Sequence, residues 1–69
     1  MIIWKKTPQG VRYYIATQGG RAIWGSKSSA PYLTADKLDM VLRHLRIMEP
    51  TARIGAIHPT EKFDEKAMG

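Results

Sequence analysis

The sequence predicts a small α+β domain: an antiparallel sheet of three N-terminal strands, one α-helix packed on one sheet face, and a fourth strand after the helix. Three observations predict it. Residues 1–6, 11–17 and 21–25 are rich in Ile, Val, Tyr and Trp, which suit a pleated, half-buried surface. Glycine- and proline-bearing turn signals separate these runs. Leu38, Val41, Leu42, Leu45 and Met48 then follow the i, i+3, i+4, i+7 spacing of a single helical stripe.

The first turn is Thr7-Pro8-Gln9-Gly10, where Pro8 presets φ and Gly10 tolerates a positive φ. A four-residue loop here sets Ile2 opposite Ile15, Trp4 opposite Tyr13 and Lys5 opposite Arg12. Gly19-Gly20 reads as a two-residue hairpin turn of the primed kind, placing Ile15 opposite Trp24 and Gln18 opposite Arg21. Alternation then divides the sheet into two faces. One carries Ile2, Trp4, Val11, Tyr13, Ile15, Ala22 and Trp24 and is expected to be core. The other carries Ile3, Lys5, Arg12, Tyr14, Ala16, Arg21 and Ile23 and is expected to face solvent.

Ser26 to Pro31 reads as a loop. Thr34 is a good helix N-cap, with Leu33 and Leu38 at the positions of a hydrophobic staple. Asp36 falls in the first turn, where the helix dipole favours an anion. Pro50 disfavours helical geometry at Glu49, so the helix should stop there. Its stripe is expected to cover the Trp4 face. Residues 51–58 read as a short strand that Gly55 weakens. The compact domain is therefore set at 1–58. Residues 59–69 read as a polar tail with Phe63 and Met68 as its larger apolar groups.

Composition narrows the function classes. At 69 residues the chain holds one core, and its 43% hydrophobic content argues against wholesale disorder. The absence of cysteine excludes a disulfide scaffold, a cysteine zinc finger and a thiol nucleophile. No apolar run approaches the ~18 residues that span a bilayer. Residues 1–6 lack the features of a secretory leader, so a cytoplasmic setting is expected. His44 and His58 are the only histidines, and no third ligand stands at organised spacing, so no metal or cofactor is expected. Ser26, Ser28 and Ser29 have no nucleophile-elbow context, and Gly19-Gly20 has no following helix and lysine to cradle a phosphate. Each of these has a plain reading as surface or loop, and the chain is expected not to be an enzyme.

Charge is the stronger signal. The net charge is +5. Residues 1–33 contain Lys5, Lys6, Arg12, Arg21 and Lys27 and no acid, whereas the rest of the chain balances six basic against six acidic residues. A field so one-sided favours a polyanion or an acidic protein surface. The leading expectation is a basic binding protein that contacts nucleic acid, DNA before RNA, through the solvent side of its sheet. Lys5, Lys6, Arg12, Arg21 and Lys27 would neutralise phosphates, and Tyr14 would stack or pack against sugar. In architecture alone, the three strands and helix of residues 1–49 look like the DNA-binding modules of some integrases and plant transcription factors. The plain alternative is an ordinary solvated sheet face.

The second expectation is a small protein-interaction module. It would be an inhibitor or accessory factor, of the kind carried by phages and other mobile elements, that docks on an acidic patch of a larger protein. A third rests on the helix. Met40 and Ile47 lie roughly opposite the core stripe, with Arg43 between them, and could seat a partner or a second copy of the chain in a homodimer. Against this, isolated apolar residues are common on protein surfaces.

Overall fold

The computed structural model describes residues 1–60. The polar tail expected over 59–69, with Phe63 and Met68, lies outside the described residues from position 61 onward. The elements are β1 (Ile2–Thr7), β2 (Gly10–Gln18), β3 (Arg21–Gly25), a short 3-10 turn (Lys27–Ser29), α1 (Ala35–Met48) and β4 (Arg53–Ile57). The four strands form one antiparallel sheet in the order β3-β2-β1-β4. The α+β class, the helix bounds and the fourth strand after the helix agree with the sequence reading.

The two hairpin turns form as their residues dictate. Trp4 pairs with Tyr13 and Lys5 with Arg12, and the strands run on to a Thr7–Gly10 pair, leaving Pro8-Gln9 as the turn. The Thr7 hydroxyl donates to the Gly10 carbonyl at 2.6 Å. Gly19 and Gly20 have φ of 55° and 77°, the paired positive values of a primed two-residue turn, and Gln18 faces Arg21 across it.

Between the turns the register departs from simple alternation. Tyr14 pairs with Trp24, yet the next pair is Ala16 with Ile23, so Ile15 is an extra residue in a β-bulge. The consequence is a correction to the expected Ile15–Trp24 pairing. One extra residue sends every β3 side chain to the other face. Ala22 and Trp24 join Tyr14, and Arg21 and Ile23 move to the Trp4 side.

The helix also takes the face not expected of it. Ile3, Tyr14, Leu33 and Leu45 form one buried cluster, against which Ala22, Trp24, Leu38, Val41, Leu42, Met48 and Ile54 pack. Tyr14 and Trp24 meet edge to face at 6.0 Å. The predicted helical stripe is thus the inner surface of α1, but it lies over the Ile3/Tyr14 side of the sheet. The other face has its own smaller cluster of Ile2, Trp4, Tyr13 and Ile57, with Val11 and Ala30 against it. The strands β1 and β2 are buried on both sides, as the unbroken runs Ile2-Ile3-Trp4 and Tyr13-Tyr14 require.

Two connections fix the helix in place. The Met1 amino group donates to the Leu33 carbonyl at 2.9 Å, and the Leu33 N–H donates to the Met1 carbonyl at 2.8 Å. These tie the start of β1 to the residue that precedes the N-cap. Thr34 occupies the N-cap position with extended geometry but makes no side-chain cap bond. Its carbonyl accepts the first helical bond, from Leu38 N–H at 2.8 Å. After α1, β4 pairs with β1 from Ile2–Ile57 to Lys6–Arg53. The helix approaches β4 and β1 more closely than β2 and β3, so the β2–β3 half of its sheet face is incompletely covered.

Candidate functional site

The expected basic face is not assembled. Tyr14, assigned there to stacking, is 7% exposed and lies under α1, with its hydroxyl 2.6 Å from the Thr17 hydroxyl. It is out of reach of a nucleic-acid base. The physical reason is that the helix stripe found its apolar complement on the Ile3/Tyr14/Trp24 side, enlarged by the bulge. The strand cations are divided as well. Lys5 and Arg12 are on the helix side, whereas Lys6 and Arg21 are on the opposite side. Lys27 sits half-buried in the 3-10 turn. Among the described residues, Lys6, Arg12 and Arg21 make no salt bridge, and Arg12 and Arg21 are exposed.

Lys5 has a specific role. Its ammonium donates to Glu49 Oε1 and stands 4.7 Å from the centre of the Trp24 ring, a cation–π contact. Trp24 Nε1 in turn donates to Glu49 Oε2 at 3.1 Å. Glu49 thus receives a cation on one oxygen and an indole N–H on the other, and joins the end of α1 to β1 and β3. The sequence reading used Glu49 only as the helix stop. A signal was available: a carboxylate at a helix C-terminus opposes the dipole and calls for a cationic partner.

Around this trio lies a cleft of about 320 Å³, bounded by Lys5, Arg21, Ala22, Trp24, Met48 and Glu49. A second cleft of about 280 Å³ continues past Gly20 and Met48 to Thr17, Met40, Val41 and His44. Both occupy the space that the off-centre helix leaves over the β2–β3 hairpin. The floor is apolar, and its polar wall is the ion-paired Lys5 and Glu49, with Arg21 at the β3 end. Beside the cleft, β3 is the edge of the sheet, and its outer backbone groups have no strand partner among the described residues.

The helix exterior behaves as its periodicity requires. Met40 is 52% and Ile47 77% exposed. Arg43 holds Asp39 at 2.9 Å, both well exposed. His44 is exposed with Nδ1 3.1 Å from the Met40 carbonyl, and His58 is exposed beside Thr60. Ser26, Ser28 and Ser29 bond to one another in an exposed turn. Among the described residues no group of three or more His, Asp or Glu gathers where it could hold a metal ion. No helix among them is long and apolar enough to cross a membrane. Comparison with protein-family models, with curated proteins and with solved structures gives no significant match.

Proposed function

We propose that the chain is a small, non-enzymatic protein-interaction module of the cytoplasm that binds an extended acidic segment of a larger protein along β3. The observation that carries this reading is the off-centre helix, which leaves an apolar cleft beside the open edge strand β3. An added strand would take up the unpaired β3 backbone groups. Its carboxylates would meet Arg21, which has no ion pair among the described residues. An apolar side chain at alternate positions would enter the cleft between Trp24 and Met48. Charge complementarity of this kind steers association and fixes register.

A nucleic-acid role draws support from the +5 charge and from Lys6, Arg12 and Arg21, but these lie on two faces, and the Tyr14 expected to stack beside them is buried. One titration separates the readings. Isotope-labelled protein is mixed with an acidic peptide of alternating Glu and Val, and separately with duplex and single-stranded DNA. Peptide-induced amide shifts confined to residues 20–25 and the Trp24 indole, weakened at least tenfold by Arg21→Glu, support docking on β3. Tight DNA binding with a steep salt slope, mapped to Lys6 and Arg12, would replace this reading with the nucleic-acid one.

A further inference from the structure

The outer face of α1 has a feature that the β3 cleft does not use. Its acids, Asp36 and Asp39, occupy the N-terminal half, and Arg43 and Arg46 occupy the C-terminal half. All four are exposed. At 100° per residue they fall along one flank of the helix, beside the line that joins Met40 to Ile47. Val41, His44 and Met48, which face the cleft, lie on the other flank. Met40 and Ile47 are two turns apart, about 10 Å along the axis. Together they expose the largest apolar side chains of the helix exterior.

Such a surface is complementary to itself when reversed. We propose that α1 pairs antiparallel with α1 of a second copy of this chain about a two-fold axis near Arg43 and His44. An isologous contact of this kind sets residue i against j and j against i, with self-pairs only at the axis, and here the match away from the axis is favourable at both levels. With the axis centred between Met40 and Ile47, Met40 of one copy packs against Ile47 of the other. Asp39 then lies about 3 Å along the axis from Arg46 of the second copy, within an arginine's reach. Arg43 falls close to its own symmetry mate, but each Arg43 already carries Asp39 at 2.9 Å, so the centre is not a pair of bare cations. Leu45 is the one fully buried side chain of α1, so the inner stripe leaves this helix with much surface still to cover. A chain of this size also gains from association, because a single small core is marginal alone.

The test is sedimentation equilibrium of the full chain from micromolar to millimolar concentration at low salt. The mass should rise from 7.8 kDa toward twice that value. Ile47→Asp should raise the dissociation constant at least tenfold without changing the thermal melt measured at low concentration, because Ile47 is 77% exposed. Arg46→Asp should weaken the dimer at low salt, since it sets an acid against Asp39 of the second copy, and 1 M salt should recover part of that loss. A monomer throughout the range would overturn the proposal. So would a dimer that ignores both Ile47→Asp and Arg46→Asp, which would place the contact on a sheet edge.

Discussion

The indole of Trp4 packs close over Gly55 on the neighbouring strand. The two residues are Cα partners of β1 and β4. A Cβ built at Gly55 would stand 2.5 Å from Cζ2 of Trp4 and 2.8 Å from Cε2. Trp4 is 6% exposed and belongs to the cluster with Ile2, Tyr13 and Ile57. The glycine that weakens β4 by propensity is the residue that admits the indole, and the packed ring supplies what the missing side chain does not.

Gly55→Ala is therefore expected to destabilise the fold, although alanine normally suits a strand better than glycine. The contact is with a buried ring that cannot swing aside, so the substitution overpacks the core and costs about 1–3 kcal/mol. A urea-unfolding midpoint measured by Trp fluorescence checks this. An unchanged or raised midpoint would show that the ring does not lie across Gly55.

Tyr14 tests which face the helix covers. Tyr14→Phe keeps the ring and loses the hydroxyl bond to Thr17, a loss of about 0.5–1.5 kcal/mol. Tyr14→Ala removes a ring packed with Ile3, Leu33 and Leu45 and is expected to cost about 3–5 kcal/mol. Chemical denaturation of the two variants should show this wide gap. Equal and negligible effects would return Tyr14 to the solvent side.

Leu45 gives the matching test from the helix. It is fully buried between the sheet and its own element, so Leu45→Ala should cost about 2–5 kcal/mol. Leu42→Ala, at a half-buried position of the same stripe, should cost less. Thermal melts by circular dichroism would rank them, and the reverse order would mean that α1 is rotated about its axis relative to the arrangement described.

Most of the architecture was legible because each element carried a local signal: Gly19-Gly20 for a primed turn, Pro50 for the helix end, the Leu38 to Met48 stripe for the inner surface of α1. What failed was the choice of sheet face, for two reasons. Period-two reading assumes an unbroken ladder, and the bulge at Ile15 has no glycine or proline to announce it. Both faces are also apolar, so alternation alone could not decide which met the helix. The available clue was that Ile2-Ile3-Trp4 and Tyr13-Tyr14-Ile15 are unbroken apolar runs, the mark of strands buried on both sides. The candidate surface suffered accordingly. The exposure of Met40 and Ile47 followed from helical periodicity, whereas the cleft depends on Trp24 having crossed to the helix side.

Lys5, Glu49 and Trp24 form a coupled unit, and a double-mutant cycle should reveal it. The side chains of Lys5 and Glu49 are 19% and 28% exposed, so the pair is sheltered enough to matter but still partly solvated. Lys5→Met keeps the aliphatic stem over Trp24 but leaves the Glu49 carboxylate facing the negative end of the helix dipole without its cation. Glu49→Gln leaves the Lys5 ammonium half-buried without a counter-charge. Each single change should therefore cost more than the same change made in the background of the other. The coupling should be about 1 kcal/mol, the range of contacting charged neighbours after allowance for solvent screening. Urea denaturation of the four proteins at low salt gives that coupling energy. Repeating it in 1 M salt, where the Debye length falls to about 3 Å, should reduce the coupling without abolishing it, because a partly buried pair is screened less than an exposed one. Glu49→Gln should also change the Trp24 emission maximum, since the indole N–H loses its carboxylate acceptor. Strict additivity together with unchanged emission would mean that Glu49 holds neither partner.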